Sequence, residues 1–291
     1  MKIAERENRM KRLHVFIERE EVTTDLKKRI PEICVHMLPE QFWITGINKE
    51  ELADLGLSDW KESLYVTDNP TFASLLSGRD YPVLAYIHDG NRDKSFTNVK
   101  YVIEGFEDVD KEYFVRVWQR LVGKPWHILD TERCSIRETT VEDLEAFYKL
   151  YSAPAITKYM ENLFTDRDEE RVYIETYAKT VYEFYGYGMW TVMLKETDEV
   201  IGRAGISMRE GFEDPELGFM IGEPWQGKGL ATEVCGKILE YAAKELGFIR
   251  VIAFVQPGNQ QSIGLLQKLG FAYEENVILK DVQYLLFGIN M

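Results

Sequence analysis

The run Gln226-Gly227-Lys228-Gly229-Leu230-Ala231 stands just ahead of an apolar-periodic segment and carries the clearest chemistry in the chain. Glycines let a backbone turn so that successive N–H groups face one point. A helix starting there adds the positive end of its dipole, and the two together hold phosphate. Two phosphate-binding patterns fail at a residue their chemistry requires. The nucleotide-hydrolase loop needs G-x-x-x-x-G-K followed by Ser or Thr. Gly222, Gly227 and Lys228 have that spacing, but Gly229 follows and leaves no hydroxyl for Mg²⁺. The dinucleotide fingerprint G-x-G-x-x-G meets Thr232 where its third glycine belongs. A third pattern, Q/R-x-x-G-x-G/A, is met in full, between an expected strand and an expected helix. That arrangement suits the pyrophosphate of coenzyme A without a metal; a glycine turn that only starts a helix remains open on these six residues alone.

A second constellation, "NQQSIGLLQKLGF" from Asn259 to Phe271, follows the strand pattern "RVIAFVQP". The elements that must position both segments read clearly. "CSIRE" opens a strand, and "TTVEDLEAFYKLY" is a helix with an N-cap threonine and Leu144, Phe147, Tyr148 and Tyr151 on one face. "EERVYIETYAKTVYEFY" is a second helix, and "GMWTVML" and "VIGRAGISM" form a hairpin across "KETDE". "PELGFMIG" is a strand, a helix runs from about Ala231, and "RVIAFVQP" is a strand. The helix "NQQSIGLLQKLG" and the strands "FAYEENVIL" and "VQYLLFGI" complete the set.

On these two segments and this element order, residues 131–291 resemble the GNAT N-acetyltransferase family, most closely its ribosomal-protein alanine N-acetyltransferase branch. The resemblance implies an α/β fold with a mixed, mostly antiparallel central sheet flanked by helices. It implies acetyl-CoA as cofactor, with the pyrophosphate on Gln226, Gly227, Lys228, Gly229, Leu230, Ala231 and Thr232. The pantetheine arm would run along Phe219, Met220 and Ile221, and Asn259 would contact the coenzyme or cap its helix. Many members place a tyrosine acid in the second segment; counting along it puts Leu266 there. Ser262 matches a serine used in the related branch and is the first choice as acid, against an ordinary polar residue of a first helical turn. Catalysis also needs a base to take the amine proton. Glu216, at the start of its strand, is the best carboxylate, against a solvated strand-end charge. Asp281 and Tyr284 are weaker candidates. By position, Trp190, Met160 and Glu161 border the acceptor site, although such aromatics equally often build core. The expected reaction is direct acetyl transfer to a primary amine, a protein N-terminus or a small molecule. The rival is a non-catalytic acyl-CoA-binding sensor.

The first half, residues 1–130, opens with a charged, helical-looking stretch to about Lys28 and then alternates strands ("SLYVTD", "PVLAYIHD", "VKYVIEG") with helices ("NPTFASLLSG", "DKEYFVRVWQRL"). Such alternation implies a small, Rossmann-like parallel sheet. The pattern weakly resembles the later half of a haloacid-dehalogenase-like domain but has no "DxD" nucleophile motif upstream, so its role is open. The boundary is expected near Asp130.

Composition limits the rest. The net charge is −14, with 19 basic and 23 acidic side chains in residues 1–130 and 16 and 26 in residues 131–291. Such a surface repels nucleic-acid phosphates and excludes them as the expected partner. No apolar run approaches the roughly 18 residues of a membrane span. Cys34, Cys134 and Cys235 are odd in number and far apart, which suits neither a disulfide framework nor a metal site and points to a cytoplasmic setting. Monomer and homodimer both remain open.

Overall fold

The computed structural model describes residues 10–17, 19–31, 33–35 and 60–291, in two compact units, Met1–Lys124 and Pro125–Met291.

The first unit holds five parallel strands, β1 (Arg12–Phe16), β2 (Cys34–Val35), β3 (Ser63–Thr67), β4 (Val83–Tyr86) and β5 (Tyr101–Ile103), in the order β2-β1-β3-β4-β5. Its helices are α1 (Glu20–Arg29), α2 (Pro70–Ser77) and α3 (Lys111–Leu121). Alternate strand residues serve opposite faces. Leu13, Val15, Leu64 and Val66 pack with Leu26 of α1 and Phe114 and Trp118 of α3, whereas Phe16, Tyr65 and Val83 pack with Phe72, Ala73 and Leu76 of α2. Side chains cap two of these helices: Asn69 accepts from the Phe72 N–H, and Asp110 accepts from the Tyr113 N–H. The helical reading of the opening stretch is corrected, because Arg12–Phe16 is a strand paired between β2 and β3 with Leu13 to Phe16 all buried. Flanking charges masked a strand covered on both faces. Residues 1–9 of that stretch lie outside the described residues.

The second unit is built on eight strands in the order β12-β13-β11-β10-β9-β8-β7-β6. They are β6 (His127–Asp130), β7 (Cys134–Arg137), β8 (Met189–Leu194), β9 (Glu199–Ser207), β10 (Glu216–Ile221), β11 (Arg250–Val255), β12 (Ala272–Leu279) and β13 (Val282–Asn290). All neighbours are antiparallel except β10 and β11, which run parallel. Its sheet is therefore mixed and mostly antiparallel, as the resemblance implied. Because β6 belongs to it, the division falls between Lys124 and Pro125 rather than after Asp130. Helices α4 (Leu144–Tyr151) and α5 (Arg167–Tyr177) cover one face of the sheet, with Phe147 and Ile174 against Met220. Helices α6 (Leu230–Lys244) and α7 (Gln260–Lys268) cover the other, where Val234, Ile238 and Leu266 meet Ile201, Leu217 and Val251.

Candidate active site

The parallel pair is where the sheet opens. β9 and β10 are in register from Glu216↔Ser207 to Ile221↔Gly202, but β10 and β11 meet only at Glu216↔Ile252. Beyond that point the two strands diverge, and a cavity of about 1460 Å³ occupies the gap. It exceeds the roughly 300–1,000 Å³ of an ordinary ligand pocket, so it has room for a long ligand together with a second one. Phe219, Met220 and Ile221 line it, with Gly227, Gly229, Leu230, Ala231 and Thr232 at one end and Tyr151, Tyr173 and Tyr177 at the other.

At the glycine end, β10 leads through a single turn, Glu223–Trp225, into α6. Gln226 folds back, its Nε2 donating to the Ile221 carbonyl at 2.8 Å. Gly227 and Gly229 both take left-handed backbone angles, φ +71° and +79°. A Cβ at Gly227 would meet nothing within 4 Å, and one at Gly229 only Arg133 Nη2 at 3.6 Å. Glycine is required there by conformation, not by space. No side chain caps α6, whereas α2, α3, α5 and α7 are capped by Asn69, Asp110, Asp166 and Asn259. An uncapped helix start facing a cavity leaves N–H donors and a positive dipole end for an anion. That donor set fits a pyrophosphate.

Sequence reasoning missed the clamp on this loop. The Arg133 guanidinium donates to the Lys228 carbonyl at 2.9 Å and to Glu233 Oε2 at 2.7 Å, and its backbone N–H donates to Glu233 Oε1 at 2.8 Å. Burial pushes the Glu233 carboxyl up, but hydrogen bonds from Thr131 and Arg133 outweigh it and hold the group below the ordinary carboxylate value. Lys228 itself does not line the cavity and contributes its anchored carbonyl.

Glu216 and Ser262 both line the cavity. Arg209 grips Glu216 with two prongs, Nε to Oε2 at 2.6 Å and Nη2 to Oε1 at 3.0 Å, while stacking 5.0 Å from the Phe254 ring centroid. This fixes the carboxylate and leaves each oxygen a second lone pair. Asn259 caps α7 by accepting from the Ser262 N–H at 3.2 Å and also lines the cavity. Among the described residues, none engages the Ser262 hydroxyl. Met160, Glu161 and Tyr284 border the cavity too, with Glu161 3.6 Å from Lys280 Nζ.

Two expectations are corrected. Trp190 does not border the acceptor site; it is fully buried, its ring edge-on to Tyr241 in the core. Leu266, at the position where many relatives carry a tyrosine, is also buried in the core, because that turn of α7 packs on the sheet. Asp281 lies in the tight turn between β12 and β13, with φ +63°, and does not reach the cavity. Arg203 of β9, the remaining omission, lines the cavity under α4 with its guanidinium 4.9 Å from the Phe147 ring centroid. The one signal for it was an arginine inside the otherwise apolar strand "VIGRAGIS".

A mixed sheet that splays at its parallel pair, with an uncapped glycine-led helix at the splay, forms a site for a long ligand with an anionic end. Residues 133–272 match the acetyltransferase (GNAT) domain family. An uncharacterised N-acetyltransferase of Bacillus licheniformis is 35% identical over 157 residues, which cover 53% of this chain and 86% of that protein. This chain belongs to the GNAT acetyltransferase family; it is an N-acetyltransferase, and its cofactor is acetyl-CoA. It is also similar to the ribosomal protein uS5-alanine N-acetyltransferase of Escherichia coli, at 36% identity over 91 residues, 30% of this chain and 47% of that one. An acetyltransferase of solved structure from Agrobacterium tumefaciens aligns at TM-score 0.49 and 24% identity, covering 56% of this chain and 94% of that one. Among the described residues, no helix is long and apolar enough to cross a membrane, and no cluster of three or more His, Cys, Asp and Glu side chains offers a metal site.

Proposed function

We propose that the second unit transfers the acetyl group directly to a primary amine, that of a small molecule or of a protein N-terminus. The observation that carries this reading is the single cavity lined both by the uncapped start of α6 and by Glu216 and Ser262. Acetyl-CoA supplies the acetyl group as a thioester. Backbone N–H groups from Gly227 to Thr232 and the α6 dipole hold its pyrophosphate, with Arg133 and Glu233 keeping the loop in shape. The exposed backbone edge of β10, Phe219 to Ile221, aligns the pantetheine arm as an added strand would, and Asn259 steadies the same ligand. Glu216, fixed by Arg209, accepts a proton from the amine on the lone pairs that Arg209 leaves free, directly or through water. Ser262 donates a proton to the departing thiolate of coenzyme A. With a hydroxyl already at the cavity, a leucine at position 266 does not argue for a binding-only sensor. Met160 and Glu161 border the entrance for the acceptor. The uS5-alanine relative makes a peptide N-terminus one acceptor to include in the assay. The test is thiol release from acetyl-CoA against a panel of amino acids, polyamines, aminoglycosides and short peptides; hydrolysis-level release with every amine would overturn the reading.

A further inference from the structure

Arg203 sits on the cavity wall in surroundings that do not neutralise it. Its Nε is sealed from solvent with no hydrogen-bond partner, and no described carboxylate pairs with it. The three carboxylates on the same cavity are engaged elsewhere: Glu216 by Arg209, the buried Glu170 by the Phe164 N–H at 2.9 Å, and the exposed Glu161 by Lys280 Nζ at 3.6 Å. Around the guanidinium stand the Phe147 ring and the phenols of Tyr151, Tyr177 and Tyr182. Two of those phenols are already engaged: the Tyr177 hydroxyl accepts from the Met189 N–H at 2.9 Å, and the Tyr182 hydroxyl accepts from the Thr139 N–H and donates to the Met189 carbonyl. An arginine offers five N–H donors; Tyr151 accepts from the guanidinium and Tyr173 stands near it, while Nε is left without an acceptor. Burying a charge without a counter-charge is costly, and aromatic faces return only part of that cost. The position also has meaning. Arg203 pairs with Met220, and Ser207 pairs with Glu216, so Arg203 and Glu216 lie on neighbouring strands and the same face, with Gly205 and Gly218 between them. That face offers a fixed cation at one end and a fixed carboxylate at the other, with the flexible Met189 thioether, itself part of the cavity lining, lying over Gly218 between them.

We propose that Arg203 binds a carboxylate of the acceptor: the amine acetylated here is an amino acid, its ammonium toward Glu216 and its carboxylate held by the Arg203 fork. The inference rests on the amine-acetylation reading above. The same chemistry could be presented by the side chain of an acidic residue that begins a peptide, so the test carries an arm for each source.

Calorimetry on the full chain saturated with coenzyme A compares free amino acids with their carboxamides, and C-terminally amidated peptides beginning with Asp with those beginning with Asn. Turnover with acetyl-CoA is followed on the same compounds. Within at least one pair, the carboxylate member should bind at least tenfold tighter, since a lost charge-assisted pair is worth more than one factor of ten. Arg203→Gln should bring that ratio close to one, and Arg203→Lys, which keeps the charge but loses the fork, should restore part of it. Circular dichroism checks that each variant folds; if Arg203→Gln does not, the drop in ratio with Arg203→Lys carries the test. A preference confined to the peptide pair places the carboxylate on a polypeptide. Equal binding of acid and amide in the wild type, a preference that survives both substitutions, or no binding of any compound overturns the proposal. Turnover without carboxylate preference overturns it and leaves the acetylation reading standing, whereas carboxylate-selective binding without turnover supports it and overturns that reading.

Discussion

Gly229 offers a way to separate the shape of the loop from its electrostatics. Its φ of +79° leaves open space around a would-be Cβ except for Arg133 Nη2 at 3.6 Å, so substitution costs conformation rather than collision. Asn and Asp tolerate the left-handed region about equally well and have nearly the same shape. Gly229→Asn should therefore retain the fold and lose no more than the roughly 1–2 kcal/mol of left-handed strain, a factor of about 5–30 shared between stability and coenzyme affinity. Gly229→Asp adds a unit negative charge beside the pyrophosphate. At about 4 Å and an effective dielectric constant near 20, each like-charge pair costs about 4 kcal/mol. A further loss of about a thousandfold in acetyl-CoA affinity is expected relative to Asn. The assay is calorimetric titration with acetyl-CoA at two salt concentrations. The Asn–Asp gap should narrow at the higher salt, because screening weakens the repulsion. Equal affinities for the Asn and Asp variants would mean that no anionic part of the ligand sits at this loop.

Further outcomes are expected at the other groups. Glu216→Gln should lower kcat by about 10²–10⁴-fold with little change in acetyl-CoA affinity, as for a lost acid–base group, while Ser262→Ala should cost about tenfold; near-normal turnover of the first variant across a pH–rate profile places the base elsewhere. Glu233 is held below its ordinary value of 4.5, so the folded state favours its ionised form. The stability it contributes is complete above about pH 4.5 and lost as the pH falls through the lower, folded value. Melting temperature and acetyl-CoA affinity should drop in that acid range, and Glu233→Gln should flatten the drop. A protein beginning at Pro125 keeps β6 on its sheet and should fold and bind acetyl-CoA, as dichroism and calorimetry would report; one beginning after Asp130 loses that edge strand and should melt lower.

Much of this was legible because phosphate binding and helix capping demand particular residues. Glycines 227 and 229 take the left-handed angles that explain their presence, and Asn69 and Asn259 cap the helices they precede. Burial was harder to read. β1 hides in "KRLHVFIERE", where charges flank a five-residue strand that is covered on both faces, so no polar alternation betrays it. β6 is short and follows Pro125, and it reads as linker until its partner β7 is known. Trp190 and Leu266 sit in the right segments but turn to the core, since position along a motif does not fix which face a side chain takes. Arg133 acts through Glu233, 100 residues away in sequence, and no local pattern announces such a pair.

The central claim, direct acetyl transfer within one cavity, is tested by a single turnover with deuterated acetyl-CoA and the best amine of the panel, followed by mass spectrometry of both product and protein. The account predicts one labelled acetyl on the amine nitrogen for each thiol released, and an unlabelled polypeptide. Label retained on a side chain of the protein, or thiol released with the amine unmodified, would contradict it.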